Sequence, residues 1–302
     1  MEGGSRKAII AAFLANLGIA IAKFIAFLIT ASAGMLAESV HSLADTGNQG
    51  LLLLGGKKAA RKATPTHPFG YGRERYFWAF VVALVLFSLG GAFALYEGIE
   101  KLRHPHELDS AVVGFIVLGL AILLESFSFY TAIKEANHVR HGVGWAKFIR
   151  RSKSPELPVV LLEDFGALIG LVIALFGLTM AEVTGNPRWD AAGSIAIGTL
   201  LTIIAIVLAV EMKGLLIGES ASDETLEAIN AAIVAAPLVN RLIHLRTEHI
   251  GPDELLVGMK VEFDHSLDLH QLGAAIDGLE AGVRGKVPSA RIIYVEPDIH
   301  RG

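Results

Sequence analysis

Two residues four apart in an apolar stretch could together hold a metal ion. His41 and Asp45 lie in GMLAESVHSLADTGNQGLLLLG, and residues at this spacing lie one above the other on a helical face. An imidazole and a carboxylate stacked in this way suit a divalent transition metal. Asn48, three residues further on, falls near the same face. The alternative is a His–Asp hydrogen bond that only joins helices.

Further ionisable residues occur in other apolar stretches. Glu163 and Asp164 are adjacent in LPVVLLEDFGALIGLVIALFGL, Glu125 lies in AILLESFSFYTA, and Lys23 lies in the first stretch. Adjacent helical residues point about 100° apart, so one carboxylate of the pair could bind metal while the other titrates or pairs with Lys23. A charge at the centre of a bilayer costs about 2.5–3.5 kcal/mol on insertion scales. Glu125 and Lys23 are therefore candidates for a proton or ion pathway.

Six apolar stretches must position these residues. A window of about 20 apolar residues can cross a bilayer, and such windows cover residues 8–30, 33–55, 76–100, 110–133, 157–181 and 190–212. Charged residues make up 19% of the 302-residue chain, against about 25% in soluble domains. We therefore predict an α-helical membrane bundle of six transmembrane helices over residues 1–216.

The polar tail, residues 217–302, is predicted to be a cytosolic α+β domain of ferredoxin-like type. Ser222 is a helix N-cap for residues 222–236, and the alternating apolar residues of LLVGMKVEF predict a strand. LIHLRTEHI and ARIIYVEP predict two more strands, and residues 266–283 a second helix. The resulting order is α-β-β-α-β.

Charge distribution predicts the orientation of the chain. Twelve lysines and arginines follow the second and fourth apolar stretches, whereas three lie on the opposite side. Because positive residues accumulate in cytoplasmic loops, both termini and the tail are expected in the cytosol. We expect the chain in a bacterial inner (plasma) membrane.

Composition also excludes several classes of protein. The chain has no cysteine, which rules out a disulfide scaffold, a thiolate metal site and a cysteine nucleophile. The net charge of −4 gives no electrostatic reason to expect nucleic acid as a partner. An intramembrane metalloprotease is disfavoured because the chain has no HExxH motif.

Five segments together resemble the cation diffusion facilitator family, over about residues 8–298. They are AESVHSLADTGNQ, HPFGYGRERYFWAF, VVLLEDFGALIGL, WDAAGSIAIGTLL and LLIGESAS. The family exports divalent metals, mostly zinc, from the cytosol in exchange for protons, and it does so as a homodimer. The resemblance implies a secondary transporter without a cofactor, whose partners are the metal ion, protons, the lipid bilayer and a second copy of the chain.

The resemblance also implies a transport site built from the second and fifth helices, each of which supplies a pair of residues four apart. His41 and Asp45 match the first pair and Asp164 matches the last position of the second pair, where Val160 replaces the other ligand. The fourth ligand could be Glu163, Asn48 or water, and another register places Glu163 in the cavity instead of Asp164. The LLED form of this helix resembles a subgroup that contains mitochondrial-type zinc transporters.

Two functions are compatible with this pattern. The first is export of a divalent metal, with zinc preferred and manganese, iron(II) or cobalt tolerated by a site of one imidazole and carboxylates. The second is a transport-inactive metal sensor or scaffold that acts through its cytosolic domain, because Val160 removes a ligand.

Overall fold

The computed structural model of the chain describes residues 10, 13–14, 16–25, 28, 33–104, 111–140 and 142–300, without the side chains of 33–41, 111 and 113. The described residues form two compact units. One comprises Glu74–Lys213 and the residues that precede Ala59, and the other comprises Ala59–Arg73 and the tail from Gly214. The unit that contains the predicted tail domain thus also includes the loop over residues 59–73.

The first unit is helical throughout. A π-helical segment, Leu86–Ala92, divides the long helix Glu74–Arg103 into two α-helical parts. In chain order the helices are α1 (Asn16–Ile25), α2 (Ala33–Ala59), α3 (Glu74–Val85), α4 (Phe93–Arg103), α5 (Ala111–Arg140), α6 (Trp145–Arg151), α7 (Glu156–Thr184) and α8 (Arg188–Ile217).

Four helices among the described residues are long and apolar enough to cross a bilayer. They cover Glu74–Arg103, Gly114–Arg140, Glu156–Thr184 and Arg188–Ile217, which are the third to sixth of the predicted stretches. The first stretch is described only in part, and α2, which covers the second stretch, is not among the four. Six spans therefore stay a prediction, and the helical membrane architecture is confirmed.

Glycines allow the membrane helices to approach closely. A β-carbon at Gly98 of α4 would lie 2.8 Å from the backbone nitrogen of Ile195 in α8, and one at Gly198 of α8 would lie 2.6 Å from that of Leu95. Small residues allow such backbone contact between membrane helices. Gly166 of α7 lies against the Ile204 side chain of α8 in the same way. The contacts of Gly98 and Gly198 thus bring α4 against α8, and that of Gly166 brings α7, which carries two of the candidate residues, against α8.

A buried ion pair joins the first turns of α3 and α7. Arg75 donates from its Nε to Glu156, whose side chain is almost fully buried. Trp78, one turn further along α3, donates its indole N–H to Glu74 at 2.7 Å. The first turn of α7, two turns before Glu163, is thereby held by a charged contact in addition to packing.

The tail forms a small sheet covered by two helices, which confirms the predicted sheet domain. Its elements follow in the order α9 (Asp223–Val234), β1 (Val239–Gly251), β2 (Glu254–Phe263), α10 (Leu269–Lys286) and β3 (Ala290–Pro297). β2 lies in the middle, antiparallel to β1 and parallel to β3. Alternate residues of β2 are buried against apolar side chains of both helices, as the alternation in the sequence predicts.

Helix caps and an ion pair to the loop over residues 59–73 add to the contacts within the tail unit. Ser222 accepts a hydrogen bond from the backbone of Thr225, and Asp268 forms a capping box with Gln271. Such caps contribute about 0.5–2 kcal/mol each. In the loop over residues 59–73, Arg73 pairs with Glu248 of β1. That loop, which joins α2 to α3, is therefore tied to the sheet.

The tail core predicts a site-specific loss of stability. Ile229 of α9 is fully buried, whereas Val234 at the end of the same helix is 82% exposed. We expect Ile229→Ala to destabilise the tail by about 2–5 kcal/mol, because it leaves a cavity, and Val234→Ala to change little. Hydrogen exchange of the β2 amides in the full-length protein measures this. Equal effects of the two substitutions would contradict the assignment of the core.

Candidate metal-binding site

Three helices of the first unit carry buried carboxylates. Asp45 lies on α2, Glu125 on α5, and Glu163 and Asp164 on α7, and each side chain is at least nine-tenths buried. Ionised carboxylates are expensive to bury unless they are paired, hydrogen-bonded or bound to a metal. The contacts of each carboxylate therefore indicate its role.

A cavity of about 80 Å³ brings three of these carboxylates together. Its polar lining consists of Lys23, Ser42, Asp45, Glu125 and Glu163, and its other lining residues are apolar or glycine. A water molecule needs roughly 10–15 Å³ of such volume, so the cavity has room for an ion with several waters. An apolar wall with a few convergent polar groups is typical of a binding site.

Glu163 is held by two amide groups of α2. Asn48 donates from Nδ2 to its Oε1 at 2.8 Å, and Gln49 donates from Nε2 to its Oε2 at 2.9 Å. Gln49 in turn accepts a hydrogen bond of 3.4 Å from Asn16 of α1. Both carboxylate oxygens of Glu163 are thus occupied, and the residue joins α7 to α2.

Asp164 is held on one side only. Ser128 of α5 donates to its Oδ2 at 2.8 Å, while Oδ1 is buried and has no hydrogen-bond partner among the described residues. The Oε2 of Glu125 and the Oδ1 of Asn48 are buried without a partner in the same described set. Buried polar groups without a partner are uncommon in proteins and call for an explanation, such as a site for a water molecule or an ion.

The predicted ligands are distributed as follows. Glu163 lines the cavity, and Asp164 is not among its described lining residues. Asp45 lines it from α2, and the backbone of His41 lies one turn earlier on that helix. The His41 side chain lies outside the described residues. Val160 is fully buried on α7, and its apolar side chain cannot serve as a ligand.

Lys23 reaches the cavity from α1. Its Nζ donates to Ser42 Oγ at 2.9 Å, so that α1 is joined to the part of α2 that lies between His41 and Asp45. Among the described residues that line the cavity, Lys23 is the one basic side chain. Its position is compatible with the predicted pathway role and places a positive charge beside the carboxylates.

No three described histidine, aspartate or glutamate residues lie close enough together to hold an ion. Carboxylates that share a site repel one another when both are ionised. Convergence of the carboxylates is therefore expected to require a cation between them. The described arrangement has carboxylates from α2, α5 and α7 around one cavity.

Sequence reasoning missed the polar partners of the carboxylates. Ser42, Gln49 and Ser128 hold Lys23, Glu163 and Asp164, and Asn16 supports Gln49. One signal was available, since an amide residue inside an apolar stretch needs a buried partner. The sequence does not indicate which residue is the partner, because the hydrogen bonds join helices that are far apart in the chain.

Comparison with known proteins finds relatives over most of the chain. The family model described as the cation efflux transmembrane domain matches residues 9–217. The mitochondrial proton-coupled zinc antiporter SLC30A9 of Mus musculus is 31% identical over 244 residues, which are 80% of this chain and 43% of the relative. Metal tolerance protein C4 of Arabidopsis thaliana is 30% identical over 262 residues, 86% of this chain and 57% of the relative.

A more distant relative matches over nearly its full length. The magnetosome protein MamB of Magnetospirillum gryphiswaldense is 23% identical over 288 residues, 95% of this chain and 92% of the relative. By contrast, the chain spans about half the length of the two closer relatives named above. Members of the matched family are transporters and not enzymes. With four apolar helices among its described residues, this integral membrane protein belongs to the cation diffusion facilitator family and resembles the subgroup that contains the mitochondrial zinc antiporter SLC30A9.

Proposed function

We propose that the chain exports divalent transition-metal cations from the cytosol in exchange for protons, with zinc as the first choice and manganese, iron(II) or cobalt as further candidates. The observation that carries this proposal is the cavity into which α2, α5 and α7 bring Asp45, Glu125 and Glu163. Carboxylates around a buried cavity suit a cation, and the relative SLC30A9 is named as a proton-coupled zinc antiporter.

In the proposed mechanism the metal enters from the cytosol and binds His41, Asp45 and Asp164. Glu163, Asn48 or water completes the site. A neutral imidazole binds metal whereas an imidazolium does not, so binding releases protons. Protonation from the far side then ejects the ion after a conformational change. Glu125 and Lys23 line the proton and ion pathway in this scheme.

The proposal includes the wider arrangement of the protein. It has six transmembrane helices over residues 1–216 and a ferredoxin-like cytosolic domain over 217–302, with both termini in the cytosol. It acts as a homodimer in a bacterial inner membrane. The excess of basic residues after the second and fourth apolar stretches supports this orientation.

A transport-inactive sensor or scaffold is the second candidate, and buried Val160 favours it. Purified protein in proteoliposomes under an imposed pH gradient distinguishes the two functions when each metal is supplied in turn. Metal-dependent proton flux supports the exporter. Metal binding without flux would support the sensor and overturn the exporter.

His41→Ala and Asp45→Ala are expected to abolish transport in proteoliposomes and to leave the protein folded and dimeric. Each substitution removes a ligand, and even a group that only hydrogen-bonds to a ligand typically contributes about 10–100-fold in affinity. His138→Ala is the matched control, because His138 is an exposed histidine of α5. Transport at the wild-type rate in either cavity variant would exclude α2 as the metal site.

Asp164→Asn and Glu163→Gln are expected to have different effects. Asparagine keeps the shape of Asp164 but removes the charge that balances the metal, so metal affinity should fall and thermal stability should not. Glutamine at position 163 places an amide against two amide donors. One unsatisfied buried group costs about 1–3 kcal/mol, so the melting temperature should fall.

Titration calorimetry and thermal melting of both variants measure these effects. The opposite pattern, in which Glu163→Gln weakens metal binding more than Asp164→Asn, would make Glu163 the ligand and reverse the proposed register. Equal loss of affinity in both variants would mean that the two carboxylates act together.

Metal binding is expected to weaken as the pH falls through the range in which an imidazole becomes protonated, ordinarily near 6.5. The loss follows from the single imidazole among the proposed ligands, since only its neutral form binds metal. In His41→Asp the acid limit should move downward, because a carboxyl group has an ordinary pKa of about 3.9. Metal titrations from pH 5 to pH 8 measure both midpoints. The same midpoint in the two proteins would show that another residue titrates.

A further inference from the structure

Val160 leaves the metal site short of a ligand on α7. The valine is fully buried, and it occupies the position at which the family resemblance implies a donor. A replacement donor from another helix is expected among the acidic residues that border the cavity. Among the described lining residues, the acidic side chains are Asp45, Glu125 and Glu163, and Glu163 already accepts hydrogen bonds at both oxygens.

Glu125 of α5 has the contacts expected of a ligand without its ion. Its side chain is 5% exposed, and its Oε2 is buried without a hydrogen-bond partner among the described residues. An unsatisfied buried charged group costs more than the about 1–3 kcal/mol of an unsatisfied neutral one. Such a cost is understandable if the oxygen receives a partner when an ion enters the cavity.

The face of α5 that carries Glu125 is turned toward α7. Ser128 lies three residues after Glu125, which places both on one helical face, and Ser128 donates to Asp164 at 2.8 Å. α5 also packs along α7. Glu125 therefore lies on the face of α5 that carries Ser128, the residue bonded to Asp164.

The electrostatics of the cavity favour a divalent ion at this point. Glu125 and Asp45 line the same cavity as Lys23, and Asp164 is hydrogen-bonded to Ser128, one turn from Glu125. Ionised carboxylates here therefore repel one another and attract Lys23. Away from bulk water these interactions are several-fold stronger than at the surface. A divalent cation between the three carboxylates would attract each of them and offset their mutual repulsion. The single charge of Lys23 offsets this repulsion only in part.

We propose that Glu125 is a ligand of the transported cation and supplies from α5 a donor that Val160 does not supply from α7. The site is then shared by three helices, with Asp45 from α2, Glu125 from α5 and Asp164 from α7. This inference rests on the proposed function, since it assigns a ligand to the same ion. Three carboxylates with one imidazole make a hard, oxygen-rich site, which widens the accepted ions from zinc toward manganese and iron(II).

Cobalt(II) provides a direct test in the purified full-length protein, because its visible spectrum reports the number and type of its ligands. Glu125→Gln keeps the size of the side chain and removes the charge. We expect it to change the bound-cobalt spectrum and to weaken zinc binding by more than about 10–100-fold, the loss typical of a group that only supports a ligand. Glu135→Gln, on the same helix and outside the cavity lining, is the matched control and should leave both unchanged.

Glu125→His tests the same point with a variant that retains a donor. We expect it to keep cobalt and zinc binding with a spectrum shifted by the new nitrogen ligand, and to disfavour manganese. This result would support the proposal even if Glu125→Gln does not fold. Thermal melting of each variant separates loss of a ligand from loss of the fold.

These measurements separate failure of this inference from failure of the proposed function. If the wild-type protein binds neither cobalt nor zinc, the proposed function itself is wrong. If the wild type binds both and folded Glu125→Gln has the same spectrum and affinity, Glu125 is not a ligand and this inference is overturned. Unchanged affinity together with lost proton coupling would assign Glu125 to proton transfer and would equally overturn it.

Discussion

The membrane unit buries acidic side chains in an apolar helical bundle, and its other polar contacts have to compensate for the cost of this burial. Asp45, Glu125, Glu163 and Asp164 are all deeply buried, where an ionised carboxylate is stable only with hydrogen-bond donors, a counter-ion or a metal. Glu163 is satisfied by two amides and Asp164 by one hydroxyl. One oxygen of Glu125 and one of Asp164 have no hydrogen-bond partner among the described residues, and a counter-ion or a metal would satisfy them.

Helix packing makes these contacts possible. Gly98 and Gly198 allow the backbones of α4 and α8 to approach, and Gly166 brings α7 against α8. The hydrogen bonds of Glu163 then join α7 to α2, and that of Asp164 joins α7 to α5. The same residues thus hold the helices together and surround the cavity, so a movement of α7 would alter the contacts of both carboxylates at once. Such coupling between packing and ligand geometry suits a transporter that alternates between two states.

Much of the architecture could be predicted from the sequence. Hydropathy identified the third to sixth apolar stretches as membrane helices, and alternation identified β2 of the tail, because both signals are local and recur within a few residues. The carboxylates of the site were identified by their cost in an apolar segment. Their partners Ser128 and Gln49 were not, since these contacts join residues 36 and 114 positions apart.

By itself the sequence determined which residues are available for chemistry: His41 and Asp45 at helical spacing, adjacent Glu163 and Asp164, and Glu125. Only the tertiary structure decided how the adjacent pair divides, with Glu163 joined to α2 and Asp164 to α5. It also decided that Glu125 shares the cavity with Asp45. Helical periodicity fixes the direction of a side chain on its own helix. What that side chain meets depends on how the neighbouring helices are rotated, and this is set by packing across the whole bundle.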